Sequence, residues 1–450
     1  VTVLRRSPPV TAATRSGGSA GTPRTLLALA ALTLTLPVDA ALVCLALLRR
    51  SRKPLSAGGA GPPVTVLITG GKMTKALQLA RSFHACGHRV ILVESAKYRF
   101  TGHRFSRAVD AFHVVPEPTH ANYARALADI VRREAVDVFV PVSSPAASVH
   151  DADAGDVLSG LCEVLHVDPQ TVRTLDDKSE FSRLAASLGL RVPDSRRITD
   201  ASEIEEFDFP GDRTYILKRI AYNPVGRMDL TPLSAATPQR NVEFARSLGI
   251  TAQDPWILQE FVTGQEYCTH STVRDGAVLV YGCCESSAFQ VNYAHVDKPE
   301  ITDWVRRFAG ASGLTGQVSF DFIEAADGHA YAIECNPRTH SAITMFYDDP
   351  RVAPAYLGDG HTMIVPSPRA RPTYWIYHEL WRLLREPDRR RRLRTIRAGK
   401  DAIFDWNDPL PYLMVHHLQI PSLLVHNLRA RRGWSRIDFN IGKLVEPGGD

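Results

Sequence analysis

The 450-residue sequence predicts an α/β plus α+β chain, in which a doubly wound parallel α/β domain precedes a domain of antiparallel strands and helices. Three observations predict it. Strand-like apolar runs alternate with helical periodicity from residue 64 to 142, and from Asp176 the pattern changes to successive strands joined by tight turns. A composition of 44% hydrophobic and 22% charged residues is that of a folded chain long enough for two or three domains.

The elements follow in order. Residues 1–24 are basic and rich in Ser, Gly and Pro, which predicts a disordered leader. Residues 25–48, TLLALAALTLTLPVDAALVCLALL, predict an apolar helix whose single charge is Asp39. It is long enough to cross about 30 Å of hydrocarbon. Arg49, Arg50, Arg52 and Lys53 would then hold the following chain on the cytoplasmic side. Pro37 and Asp39 leave open a transmembrane or a membrane-associated, surface-lying helix, and a signal peptide cut near Ala40 is a third reading. Residues 49–63 read as a Gly/Pro linker. VTVLIT (64–69), a helix over MTKALQLARSFHACG, RVILVES (89–95), a helix near 121–134 and VDVFVPV (136–142) make 64–175 one parallel domain. Within 176–360, DDKSEFSRLAASLG and TPQRNVEFARSLG (237–249) read as helices. YILKRI (215–220), WILQEFV (256–262), EYCTHSTVRDGAVLVYGCC, GQVSFDFIEA and AYAIECN read as strands. Residues 361–450 predict a basic helical C-terminal extension, packed on the core or lying at a membrane surface.

The net charge of +5 is uneven: residues 1–61 carry eight Lys/Arg against one Asp and residues 366–450 sixteen against nine Asp/Glu, leaving an acidic middle. That middle argues against nucleic acid as a partner, while basic ends beside an apolar segment suit an anionic membrane. The seven cysteines show no C-x-x-C and no Cys/His spacing, so reduced thiols are expected, without a disulfide framework or a zinc site.

Gly70-Gly71-Lys72 follows the first strand but fits neither G-x-G-x-x-G nor G-x-x-x-x-G-K-[ST]. This argues against a nicotinamide cofactor and leaves a tight turn or a small-substrate contact. A stronger constellation lies between 176 and 340. Lys178 opens a helix, and Lys218 sits inside an apolar strand, where an ammonium is costly unless it reaches an anion. Gln259, Glu260, Phe261 and Val262 follow, then Glu266. Asp321 lies in VSFDFIEA, and Glu334, Asn336 and Arg338 lie in YAIECNPRTHSA. Alternation puts Glu334 and Asn336 on one face of a strand, where Asp321 of a neighbouring strand can oppose them. Such hard oxygen ligands suit Mg²⁺ bridging phosphates, and Arg338 can clamp a transferring phosphoryl group. His340 is a candidate to deprotonate an incoming amine or to orient by hydrogen bonding. Ser143, Ser144 and Ser148, at a strand end, and His270, Thr272, Arg274, Thr339 and Ser341 are candidate acceptor contacts.

Two lysines, a hinge, a glutamate, an aspartate and a Glu-x-Asn-x-Arg strand, in that order, resemble the ATP-grasp superfamily of ligases. The resemblance implies an ATP-grasp fold with Lys178 and Lys218 on the α/β phosphates of ATP and Glu266 on the ribose. Adenine would be held at the hinge Gln259-Glu260-Phe261-Val262, through backbone groups from Gln259 to Phe261. Asp321, Glu334 and Asn336 would hold two Mg²⁺, with Mn²⁺ able to substitute, and Arg338 and Lys218 would serve the reaction centre. Residues 64–175 would supply part of the acceptor pocket. Two departures stand out: the loop Arg219 to Pro232 contains only Gly226 where relatives carry a glycine-rich lid, and Ser319 replaces an arginine of some dipeptide-forming relatives.

The stretches LITGGKMTKALQLARSFHACGHRVIL (67–92), TLDDK (174–178), CTHSTVRDG (268–276) and YAIECNPRTHSAITMFY (331–347) are similar to the ATP-grasp ligases of mycosporine-like amino acid biosynthesis. That similarity implies an ADP-forming coupling of 4-deoxygadusol with glycine. Two further readings stay open: another ATP-grasp carboxylate-amine ligase acting through an acyl phosphate, and a membrane-tethered nucleotide-binding module without catalysis. A homo-oligomer is compatible with each.

Overall fold

A computed structural model of the chain describes residues 21–49, 62–221, 229–286, 292–358, 362–386 and 388–446. Most of the expected disordered leader, most of the linker and the Gly226 part of the lid loop lie outside the described residues. The apolar segment is one long helix, α1 (Gly21–Arg49), continuous through Pro37.

The first domain is a five-stranded sheet built from β1 (Thr65–Ile68), α2 (Thr74–Ala85), β2 (Arg89–Ser95), β3 (Ala111–Val115), α3 (Tyr123–Glu134), β4 (Val138–Val140), α4 (Ser148–Leu158) and β5 (Glu163–Val164). Its order is β3-β2-β1-β4-β5, with every pairing parallel. Successive residues of one strand face opposite sides of a sheet. Accordingly Val66 and Ile68 pack with Ala76, Ala80 and Phe83 of α2, while Leu67 packs with Leu127 and Val131 of α3 and Leu158 of α4. Both faces are covered, which is why these strands read as unbroken apolar runs. The strand ends with Gly70, Glu94 and Ser144 lie along one edge, where doubly wound sheets place ligands.

The second part begins with α5 (Pro169–Asp176) and α6 (Lys178–Ser187), then β6 (Ser195–Ile198), β7 (Tyr215–Arg219), α7 (Pro238–Ser247) and β8 (Trp256–Glu260). The last three strands form an antiparallel sheet, β6-β8-β7, over its own core of Ile198, Tyr215, Leu217, Leu233 and Leu258. There follow β9 (Gly264–Arg274), β10 (Ala277–Glu285), β11 (Asn292–Tyr293), α8 (Pro299–Ser312), β12 (Gly316–Ala325) and β13 (Ala330–Asn336). A four-stranded antiparallel sheet, β10-β9-β12-β13, results. Its hydrophobic face buries Phe181, Trp304, Phe308, Phe320 and Phe322 together, with the Trp304 and Phe308 rings stacked 5.2 Å apart. Gly264 opens β9 where a side chain is impossible: a Cβ there would sit 1.9 Å from the Glu324 carbonyl oxygen.

The remaining elements are α9 (Val352–Leu357), β14 (Thr373–Tyr374), α10 (Ile376–Arg385), α11 (Arg389–Ala398), β15 (Lys400–Asp401), α12 (Leu410–Met414), a π turn at Val415–Gln419, α13 (Ile420–Arg429), β16 (Arg436–Asp438) and β17 (Lys443–Val445). The basic extension is therefore helical, with short strands inserted. It also enters the core. Trp375, Ile403, Val415, Ile420 and Leu424 are buried in the same cluster as β1 and α2, and Trp375 Nε1 donates to Thr74 Oγ1 at 3.0 Å. All seven cysteines are free thiols; Cys268 and Cys284 Sγ lie 3.4 Å apart on paired strands without a bond.

Candidate active site

The site residues converge where the three-stranded and four-stranded sheets face each other. Register places Asp321 of β12 directly opposite Glu334 of β13, with Asn336 two residues along the same face. Asn336 Nδ2 donates to Asp321 Oδ2 at 3.4 Å. Cations close in on these oxygens: Lys178 Nζ is 3.7 Å from Glu334 Oε1, and the Arg338 guanidinium donates to Asn336 Oδ1 and, at 3.1 Å, to Asp176 Oδ1. Lys178 is held at the first turn of α6 because Asp177 caps that helix, accepting from the amides of Ser179 and Glu180.

Lys218 enters from the opposite sheet. Its Nζ donates to Gln259 Oε1 at 3.1 Å, and burial lowers its pKa against the pull of Glu334, Glu266 and Asp321. The Gln259 side chain is buried, and its Nε2 has no partner among the described residues. An orphaned buried donor beside Lys218 is free to serve a polar ligand. Glu266, at the start of β9, accepts from Ser286 Oγ at 2.9 Å.

The hinge differs from expectation in one respect. The amides of Glu260 and Phe261 donate to the carbonyls of Asp194 and Thr214, at 2.8 and 2.7 Å, because β8 is the central strand of its sheet. Val262 N closes a turn on Glu260 O at 3.2 Å. An adenine edge would thus meet carbonyl oxygens, or exchange for the Val262 bond, rather than take the amides of Glu260 and Phe261.

His340 Nδ1 accepts from the Ala342 amide at 3.2 Å. Burial, with the Lys75 and Arg338 cations nearby, pushes its pKa down to about 3. A neutral imidazole that accepts at Nδ1 carries its proton on Nε2, so His340 can offer a donor there but not a base. His270, Thr272 and Thr339, expected to face the pocket, instead form a buried polar layer: Thr339 Oγ1 and the Tyr356 hydroxyl both donate to Gln317 Oε1, at 2.6 and 2.7 Å. Arg274 pairs with Glu163 and the Tyr356 carbonyl, and Ser341 bonds Asn440 at 2.9 Å.

Beside this centre, the edge of the parallel sheet holds a cavity of about 320 Å³ lined in part by Gly70, Lys72, Glu94, Tyr98, Ser144 and Asp151. Gly70 lines it where only glycine fits: its φ is +67° and a Cβ would meet the Val142 carbonyl at 2.0 Å. Asp151 accepts from Ser143 Oγ and from Tyr123 OH at 2.6 Å, and burial raises its pKa to about 6. Lys75, absent from the sequence reading, joins the two regions by donating to the Ser143 and Thr339 carbonyls at 3.0 and 2.6 Å. Ser148 Oγ reaches the Pro337 carbonyl at 3.2 Å.

This architecture recurs among solved structures. An N5-carboxyaminoimidazole ribonucleotide synthetase in complex with ADP superposes with a TM-score of 0.53 at 15% identity, over 69% of this chain and 80% of its own. The Campylobacter jejuni biotin carboxylase complexed with β,γ-ATP gives 0.52 at 14% identity, over 67% of this chain and 72% of that one. The chain has the ATP-grasp fold. In sequence, it is 24% identical over 200 residues to the C-terminal section of the carbamoyl phosphate synthase large chain of Methanopyrus kandleri. That alignment takes in 40% of this chain and 36% of the relative's length. No family model matches the chain.

Among the described residues no three His, Cys, Asp or Glu side chains are grouped to hold a metal by themselves. The donor set nevertheless fits Mg²⁺: Asp321, Glu334 and Asn336 offer hard oxygens from two adjacent strands and leave ligand positions to a nucleotide's phosphates.

Proposed function

We propose that the chain is an ADP-forming, ATP-dependent carbon-nitrogen ligase, a mycosporine-glycine synthase that phosphorylates 4-deoxygadusol and condenses it with glycine. The observation that carries the ligase reading is the opposition of Asp321, Glu334 and Asn336 to Lys178, Lys218 and Arg338. The choice of substrates rests on the sequence resemblance and on the cavity at the edge of the parallel sheet. Its carboxylates and hydroxyls suit a small hydroxylated ring.

Asp321, Glu334 and Asn336 would hold Mg²⁺, which would neutralise charge on the triphosphate. Lys178 and Lys218 would bind the phosphate oxygens, and Gln259 Nε2 would donate to the nucleotide. Glu266 would accept from the ribose hydroxyls. The acceptor is a vinylogous acid, so its enolate oxygen can take the γ-phosphoryl group while ADP leaves. Arg338 would stabilise the charge that develops there, already oriented by Asp176. The glycine nitrogen, entering as the free amine, then bonds to the activated carbon, and phosphate leaves with the proton that the nitrogen gives up, giving an enaminone. His340, neutral with its proton on Nε2, would orient a substrate rather than deprotonate the amine. The catalytic face is assigned to the cytosol, with α1 as the element that meets a membrane.

The test is incubation of the chain with ATP, Mg²⁺, 4-deoxygadusol and glycine, following ADP and the ultraviolet absorbance of the product. The expected result is ADP and an absorbing adduct, each dependent on both substrates. Glu334→Gln and Asp321→Asn should each slow turnover at least about 100-fold. ATP turnover only with another acid and amine, trapped by hydroxylamine as a hydroxamate, would replace the substrates and keep the ligase. No turnover with any pair would leave a nucleotide-binding module.

A further inference from the structure

We infer that α1 lies in the plane of an anionic membrane surface instead of crossing the bilayer, and that α10 and α11 complete the lipid-binding face. The inference rests on the assignment of α1 as the membrane element and states how that element is used.

The packing of α1 decides against a span. Thr25, Leu32, Asp39, Val43 and Ala46, spaced along one stripe, are its buried residues. The stripe is held along nearly the whole helix. At one end Arg24 lies 4.3 Å from the Trp434 ring centroid and Trp434 Nε1 donates to Thr25 Oγ1 at 2.9 Å. In the middle Asp39 accepts from Tyr377, Tyr412 and His417 at 2.5, 3.1 and 2.8 Å. From Arg24 to Ala46 the helix runs roughly 33 Å beside the body, at 1.5 Å per residue, slightly more than the roughly 30 Å of hydrocarbon. A spanning α1 would draw α12 and the π turn into hydrocarbon with it. With them would go Asp408, paired with Arg81, and Gln419 of the π turn itself, which holds the Gly102 amide and the Gly442 carbonyl. Such groups belong in a folded, hydrated body.

The opposite face of α1 is not that of a water-exposed helix. Most of its apolar length is uncovered, and Leu27, Leu34, Val38 and Leu48 are 71%, 80%, 71% and 86% exposed. With Ala41 and Leu45 these residues follow helical spacing and make one uncharged ridge. A second apolar face adjoins it. Tyr377, Leu380, Trp381 and Leu384 share one side of α10 by their i, i+3, i+4, i+7 spacing, and the Tyr377 hydroxyl reaches Thr35 and Asp39 of α1. Leu380, Trp381 and Leu384 are exposed, with the Arg385 guanidinium 4.3 Å from the Trp381 ring centroid, the amphipathic pairing of a membrane interface. Packed on α10, α11 exposes Arg389, Arg390, Arg391, Arg394 and Arg397. An apolar ridge flanked by this many cations fits anionic lipid, whereas a second copy of the chain would bring its own arginines against them.

The full chain should co-sediment with vesicles containing phosphatidylglycerol and much less with phosphatidylcholine alone. Arg390→Gln, Arg391→Gln and Arg394→Gln combined should weaken the anionic binding at least about tenfold. Leu34→Asn with Trp381→Ser should abolish it while ATP binding persists, since both positions are exposed. In inverted membrane vesicles from an expressing host, an epitope ahead of residue 21 should be cleaved by added protease. Protection of that epitope would overturn the in-plane arrangement and leave a membrane-spanning α1. Absence of binding to either vesicle, with a doubled hydrodynamic mass, would overturn the membrane assignment itself.

Discussion

Lys75 joins the cavity at the edge of the parallel sheet to the Arg338 side of the candidate site. It is 4% exposed, and burial with the Arg338 charge nearby pushes its pKa down to about 7, from 10.5 in an unfolded chain. Between these values the unfolded chain holds a proton that the folded one has released. The cost of burying the charge is therefore full below about pH 7, and stability attributable to Lys75 rises with pH from there toward about 10. Lys75→Met should remove that slope, worth a few kcal/mol across the interval. It also strips the Ser143 and Thr339 carbonyls of their donor, a loss of roughly 1–3 kcal/mol that does not change with pH. Denaturant unfolding of both proteins across this pH range separates the two effects; parallel curves would refute the shift. Alternation along two strands made Asp321, Glu334 and Asn336 legible in the sequence. Lys75 was not, because its partners lie 68 and 264 residues away. Nor was the His340 tautomer, which one hydrogen bond to Ala342 decides.

Among the elements, β12 and α8 carry the rigidity of the site. Phe320 and Phe322 flank Asp321 on β12 and point to the opposite face, where Trp304 meets both rings at 5.2 Å. Trp304→Ala should cost about 3–5 kcal/mol, read as a lower denaturation midpoint at unchanged slope. Gly264→Ala acts on the other side of Asp321's sheet: its Cβ cannot coexist with the Glu324 carbonyl, so β9 must shift where it presents Glu266. Nucleotide affinity should fall more than stability does, which equilibrium binding of ATP alongside thermal unfolding would show. These long strands were readable because β-branched and aromatic residues run through them between turn residues, although β9 and β10 are buried continuously and not with period two. The helix α4 was not, since SVHDADAGDVL has small and acidic residues where an apolar stripe would be read. The two-residue strands β14 and β15 are too short to leave a period at all.

For the whole molecule, the decisive fact is that the extension and the parallel domain share one core. Its sequence pattern is amphipathic over 411–428, which does not distinguish a helix packed on a finished domain from one that completes it. The structure makes it the latter. Val415 and Ile420 are fully buried, and Gly102, which opens a 3₁₀ turn over Gly102–Phe105, is required beside Val415 because a Cβ would lie 2.3 Å from the Val415 amide nitrogen. The helix α1, by contrast, gives the same core two buried residues, Leu32 and Val43, with Ala28, Leu29 and Leu42 partly buried against it and the outer side left uncovered. Two truncations should therefore behave differently. A chain ending at residue 358 uncovers one side of β1 and α2 and should lose cooperative unfolding, whereas a chain starting at residue 62 should still unfold in one transition at a lower midpoint and keep its ATP binding. Calorimetry of both proteins tests this. Cooperative unfolding of the shortened C-terminal form would show that the parallel domain closes its own core and that the extension is an appendage.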